Sequence, residues 1–310
     1  MKNFSPKNKF LWDPWLIKHK GNYHAFYLQT KKTKDFHKRH DKNVSIGHAI
    51  STDLLNWKEL PTAFKPGKKG DWDDLALWTC SIIKKGKKFY MFYTARDKKT
   101  RTQKIGLATS ENLKTWKKHK DNPLLGADEK FYETHNKKNK LGKAGTWRDP
   151  FVFKDPKSKK YHLTISARSK DKPKEYDGCI ALAESKNLIN WKTLPPILYP
   201  KKYDEMETSQ IVFHNKKYYL FFSVPYKKSY SPKWARKAGS HIGLHCYVSN
   251  SLKGKYKPIN KGGVILDCKK KIYGFRLIKD KSKYYAIGFL REKDGKFLGK
   301  LSFPIEINFD

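Results

Sequence analysis

"IGHAISTDLLNW", residues 46–57, returns as "IGLATSENLKTW" at 105–116 and as "IALAESKNLINW" at 180–191, with a looser copy, "IGLHCYVSNSLKGKY", at 242–256. In each copy Ile, Leu and Ala alternate as in a strand, a Ser/Asp/Asn turn follows, and in the close copies a Trp opens a further strand. Hairpins recur as well. "GNYHAFYLQ" (21–29), "GKKFYMFYT" (86–94), "SKKYHLTIS" (158–166), "NKKYYLFFS" (215–223) and "SKYYAIGFL" (282–290) each start with a polar turn and run into an aromatic strand. Ahead of them stand the apolar strands "PWLIKH", "CSIIKK", "FVFKD", "QIVFH" and "FRLIKD". A hairpin, a third strand and a fourth make one blade. Five hairpins therefore predict an all-β chain, a five-bladed β-propeller of four-stranded antiparallel blades around a central channel. The expectation is one domain over 1–310, without an appended β-sandwich. Trp57, Trp116 and Trp191 are expected to pack between blades.

The chain has 310 residues, 38% of them hydrophobic and 15% aromatic, enough for the large core that such a ring needs. No run approaches the roughly 18 apolar residues of a membrane helix, and "MKNFSPKNKF" has no apolar segment of a secretory leader. Cys80, Cys179, Cys246 and Cys268 are far apart and form no CxxC pair. That pattern fits reduced thiols in the cytoplasm and no bound metal. The formal charge of +39 invites a nucleic-acid reading, yet only eight of the 68 basic residues are Arg. Specific nucleic-acid sites favour the bidentate guanidinium and cluster their charge, whereas Lys here is spread along the whole chain. A solvated lysine surface is expected, with no specific nucleic-acid partner and no membrane. Residues 31–43, 119–146 and 225–240 read as long loops over one face.

Acids are scarce, 29 in all, and several stand at the head of first strands, which line the channel of a propeller. They are Asp13 in "WDPW", Asp71, Asp73 and Asp74 in "DWDDLALWTCS", Asp149 in "WRDP", and Asp204, Glu205 and Glu207 in "YDEMETSQ". The fifth blade offers Tyr273 and Arg276 in "YGFR". Carboxylates converging on one channel repel one another and raise pKa values, which suits acid–base chemistry. Trp12, Trp15, Trp72, Trp78 and Trp147 flank them, and aromatic faces beside carboxylates suit a sugar. A lone Asp before Pro is often just a turn residue; three such acids in three repeats argue for a site. Glu207 lies nearer the strand than Glu205, which stays open as the alternative. Ser81 fits either a sugar hydroxyl or the neighbouring strand, and His48 a packing or hydrogen-bonding position in its strand.

On "WDPW", "IGHAISTDLLNWKELPTAF", "DWDDLALWTCS", "TWRDPFVF" and "MET" before "SQIVFHNKKYYLFFS", the chain resembles glycoside hydrolase family 32, the β-fructosidases, within a propeller group shared with families 68 and 43. The resemblance implies a glycosidase on sucrose or short fructo-oligosaccharides that needs no cofactor. Asp13 would be the nucleophile, Asp149 the transition-state stabiliser beside Arg148, and Glu207 the acid/base. Trp12, Trp72, Asp73 or Asp74, Trp78, Ser81, Arg148, Glu205 and Arg276 would contact the sugar. The chain departs from the family where Trp12 precedes Asp13, where Pro14-Trp15 follow it, and where Thr208-Ser209 follow Glu207. An inverting, family 43-like arabinosidase or xylosidase and a sugar-binding propeller without turnover are the alternatives.

Overall fold

The structure, a computed structural model, describes residues 2–33, 36–41, 43–134, 145–171, 175–269 and 271–309. Five antiparallel sheets follow one another along the chain. The first holds β1 (Lys9–His19), β2 (Asn22–Lys31), β3 (Ser45–Ser51) and β4 (Lys58–Phe64). The second holds β5 (Ala76–Lys85), β6 (Lys88–Arg96), β7 (Lys104–Ser110) and β8 (Lys117–Lys118). The third holds β9 (Trp147–Lys154), β10 (Tyr161–Arg168), β11 (Gly178–Ser185) and β12 (Lys192–Leu198). In the fourth, β13 (Glu207–His214), β14 (Lys217–Val224), β15 (Gly243–Ser249) and β16 (Lys257–Pro258) are joined by β17 (Val264–Asp267), which also pairs β15. The fifth runs β18 (Ile272–Asp280), β19 (Lys283–Lys293) and β20 (Lys296–Leu301), and β21 (Ile305–Ile307) pairs β19. The innermost strands β1, β5, β9, β13 and β18 each touch the next, and β18 touches β1, so the ring closes as a five-bladed propeller.

The repeated turn explains the repeated sequence. Ser110 Oγ accepts from Asn112 N and Leu113 N, and Asn112 Oδ1 accepts from Lys114 N and Thr115 N. Ser185 and Asn187 make the same bonds in the third blade, and Ser51 with Asp53 closely similar ones in the first. Each turn closes with the Trp indole N–H donating to a Leu carbonyl: Trp57 to Leu54, Trp116 to Leu113, Trp191 to Leu188. So held, Trp116 meets Phe26 of the first blade edge-on at 5.8 Å, and Trp191 meets Phe92 of the second at 5.2 Å. Burying an aromatic at such a seam contributes roughly 2–3 kcal/mol. His48 stacks on Phe26 at 4.3 Å and shares a hydrogen bond of 2.9 Å with His24, so it serves packing within the first blade.

One loop expectation needs correction. Within 225–240 the chain forms a short helix, α1 (Pro232–Ala238). Pro232 sits at its start, where a missing N–H does no harm, and the buried Trp234 anchors it with its indole N–H on the Tyr203 hydroxyl. Of the other two loops, positions 34, 35, 42 and 135–144 lie outside the described residues.

Candidate functional site

All five innermost strands lose register with their neighbours at the same place. Two residues are skipped between Trp12 and Trp15, between Leu77 and Cys80, between Arg148 and Phe151, between Glu207 and Gln210, and between Tyr273 and Arg276. Each is a β-bulge, which leaves residues unpaired and re-aims their side chains. The ladder bond is already broken there, so Pro14 and Pro150 are tolerated within inner strands. Four of the five bulges carry a residue in the left-handed region: Asp13 (φ 43°), Asp149 (φ 59°), Thr208 (φ 51°) and Gly274 (φ 64°). Asp adopts this region more readily than most residues, whereas a β-branched Thr does so only under strain. Gly274 is also required by space, since a Cβ there would come within 2.6 Å of Asp13 Oδ1.

The bulges open onto a cavity of about 350 Å³, within the size range of small-molecule sites. Asp13, Asp149 and Glu207 all line it. Asp13 accepts from Thr79 Oγ1 at 3.4 Å. Burial, followed by the Asp149 and Glu207 charges, pushes its carboxyl up to about 7 against the opposing Arg39 and Arg276. Asp149 Oδ2 accepts from Thr208 N at 3.1 Å and from Ser166 Oγ at 3.2 Å. Both donors use Oδ2, which leaves Oδ1 without one among the described residues. Glu207 Oε1 accepts from Arg148 Nη2 at 2.5 Å, and its Oε2 from the Tyr273 hydroxyl at 2.5 Å. Burial raises the Glu207 carboxyl above the ordinary range; Arg148 and Tyr273 pull it back, while Glu205 and Asp149 add to the rise.

Arginines surround these acids. Burial works against the Arg148 charge, but Glu207, Glu205 and Asp149 outweigh it and lift the guanidinium above its usual range. Arg148 also reaches Glu205 Oε1 at 3.5 Å, and Arg168 holds that same oxygen at 3.2 Å from behind. Arg96 pairs with Asp41 at 2.8 Å. The Arg39 guanidinium lies over the rings of Trp12 at 5.5 Å and Phe297 at 4.4 Å. His40 stands edge-on between Trp12 and Trp78. Burial, then the Arg39, Arg148, Arg96 and Arg291 charges, lower its imidazole to about 3, so it is neutral near pH 7.

Of the residues singled out in the sequence, Trp12, Asp13, Trp78, Arg148, Asp149, Glu205, Glu207 and Tyr273 line the cavity. Five expected sugar contacts do not. Trp72 packs on Tyr93 and against Gly106. Asp73 is buried and pairs with Lys118 Nζ at 2.6 Å. Asp74 accepts from Gly70 N and Lys98 N and so closes turns. The reason is positional: side chains enter the channel at the bulge, which in the second blade is Trp78-Thr79, and "DWDD" precedes β5 altogether. Ser81 Oγ accepts from Val152 N at 3.0 Å, joining two inner strands. Arg276 is buried behind the bulge, with Nη1 donating to Thr208 O at 2.9 Å and Ser209 O at 2.8 Å. Trp15 and Trp147 belong to the core, on Phe151 and Tyr132.

Sequence reasoning missed Arg39, His40, Asp41, Thr79, Arg96, Thr208, Pro225, Tyr226, Phe289 and Arg291 among the lining residues. One signal could have found some of them. Of the eight Arg in a lysine-rich chain, four line the cavity, and Arg168 and Arg276 support it from behind.

A family model, "Glycosyl hydrolases family 32 N-terminal domain", matches residues 3–296. Curated relatives include an Allium cepa bifunctional 6(G)-fructosyltransferase/2,1-fructan:2,1-fructan 1-fructosyltransferase, 28% identical over 188 residues, which cover 58% of this chain and 27% of that one. A levanase of Bacillus sp. (strain L7) is 27% identical over 206 residues, 61% of this chain and 19% of its own. The chain thus spans well under half the length of these relatives. Among solved structures, a mutant β-fructofuranosidase of Microbacterium saccharophilum K-1 superposes with a TM-score of 0.78 at 18% identity, covering 99% of this chain and 73% of that one. The inulosucrase of Halalkalicoccus jeotgali bound to kestose gives 0.76 at 22% identity, covering 95% and 80%. At these identities the likeness is one of fold.

Proposed function

Because the chain belongs to glycosyl hydrolases family 32, we propose that it is a retaining β-fructosidase acting on sucrose or short fructo-oligosaccharides. The observation that carries this reading is the trio of cavity-lining acids, with Asp13 raised to about 7 and Glu207 held between Arg148 and Tyr273. Glycoside cleavage needs one carboxyl group to give a proton to the leaving oxygen and a second carboxylate at the anomeric carbon. Asp13 forms a bond to that carbon as the glycosidic C–O bond breaks, and Glu207 gives its proton to the departing oxygen. Glu207 then takes a proton from water, whose oxygen replaces Asp13 on the carbon and frees the sugar. The Tyr273 hydroxyl suits both states of Glu207: it donates to the carboxylate and accepts from the acid. Burial and the Glu207 charge keep that hydroxyl protonated. Asp149 Oδ1 is placed to bind ring hydroxyls as positive charge develops.

Purified protein incubated with sucrose, inulin-type oligomers, an aryl arabinoside and an aryl xyloside tests the reading. Fructose should appear, with its anomeric configuration retained when followed by NMR. Pentose, or an inverted product, would overturn it. Gly274→Ala, which crowds Asp13 and puts a side chain at φ 64°, is expected to lower kcat roughly tenfold or more and stability by about 1–2 kcal/mol. Steady-state kinetics and thermal unfolding would check both. The free cysteines, three of them buried, support a reducing compartment, and we place the protein in the cytoplasm.

A further inference from the structure

We propose that Tyr226 is the platform on which the departing sugar stacks, with Arg291 as the residue that positions it, so that this side chain sets which leaving groups are accepted. The inference rests on the fructoside reading above. In a displacement, nucleophile and leaving group occupy opposite faces of the reacting carbon. Residues grouped around Asp13 therefore meet the retained unit, and those grouped around Glu207 meet the departing one. Around Asp13 stand Thr79, which donates to it, and the chain neighbours Trp12 and Trp78, with His40 between the two tryptophans.

Around Glu207 stand Arg148 and Tyr273, and the Arg291 guanidinium lies 5.2 Å from the Tyr273 ring centre. Arg291 continues outward. Its guanidinium is 4.8 Å from the Tyr226 ring, and its Nη1 donates to Pro225 O at 2.9 Å. A chain of contacts thus leads from the acid to the cavity rim, where Tyr226 is 40% exposed, the most of any large apolar side chain among the described residues. An aromatic ring fixed at the mouth of a polar cavity is suited to the C–H face of a sugar. Lys228 Nζ also lies 5.6 Å from the Tyr226 ring, but its long, exposed side chain yields to an incoming sugar more readily than the doubly engaged Arg291.

The test measures sucrose and trisaccharide hydrolysis by wild type, Tyr226→Ala and Phe303→Ala, together with the share of fructosyl groups passed to an added acceptor sugar. Phe303, 37% exposed and not part of the cavity wall, is the control. Tyr226→Ala should raise KM for sucrose roughly tenfold, change kcat less, and lower the transferred share, while Phe303→Ala changes none of these. Calorimetry on Asp13→Asn, with and without Tyr226→Ala, should show weaker sucrose binding and unchanged fructose binding. A Tyr226→Ala protein with wild-type KM and partition would overturn the platform, as would equal weakening toward fructose and sucrose. A wild type that releases no fructose would instead overturn the fructoside reading. Calorimetry would then still decide the platform, since selective loss of disaccharide binding supports it and unchanged binding rejects it.

Discussion

Asp13→Asn is expected to abolish turnover and, at the same time, to make the protein more stable at neutral pH. Asn keeps the size of the side chain and can still accept from Thr79, but it supplies no attacking carboxylate. A fall in kcat on the order of 10⁴-fold or more is expected. The stability change follows from the titration. In the folded chain Asp13 takes up its proton at about 7, against an ordinary value of 3.8. Between these values the unfolded chain has lost the proton and the folded chain still holds it, so raising the pH through this window favours unfolding. The accumulated penalty is roughly 4 kcal/mol and levels off above about pH 7. Asn escapes it. Thermal unfolding should show the variant melting several degrees higher than wild type at pH 8, with the difference vanishing toward pH 4. A variant less stable than wild type at both pH values would mean that the folded site does not resist the Asp13 charge.

Glu207→Gln should lower kcat by about 10²–10⁴-fold on sucrose, the range expected for a lost general acid. The loss should shrink on an aryl fructoside, whose leaving group needs little protonation. The pH profile gives a sharper reading. In the wild type, the acid limb of kcat/KM should follow loss of the Asp13 proton near pH 7. Glu207 is one of the charges that raise Asp13. Replacing it by neutral Gln should therefore move the acid limb to lower pH. An acid limb that stayed in place would show that burial and Asp149 alone set the Asp13 titration.

The fold was legible because each blade is one local unit written several times. The Ser/Asp/Asn turn before the indole of Trp57, Trp116 or Trp191 needs only nearby residues, so its sequence is conserved between copies. Asp13, Asp149 and Glu207 were legible because acids are scarce and these lie near the heads of repeats. What misled was the rule for reaching the channel. Position at the strand head is not enough; the bulge decides, and "DWDD" falls short of it whereas Trp78-Thr79 sits on it. Position in the repeat could not reveal Arg39, His40, Tyr226 and Arg291, for a different reason. They come from connections and strand ends outside the repeat, and only the closed ring brings them to Glu207 or Asp13.

The basic residues divide in a way that bears on handling the protein. Four arginines face the cavity, and among the described residues no lysine does, though the chain carries sixty. Primary amines are thus abundant and, among the described residues, lie outside the cavity. Reagents that attack amines would tether this protein to a resin, a dye or a second enzyme through many points without touching the chemistry inside. The same partition protects the interior when the exterior charge is rewritten. Succinylating the lysines would turn a strongly cationic particle into an anionic one while every guanidinium around Asp13 and Glu207 kept its charge.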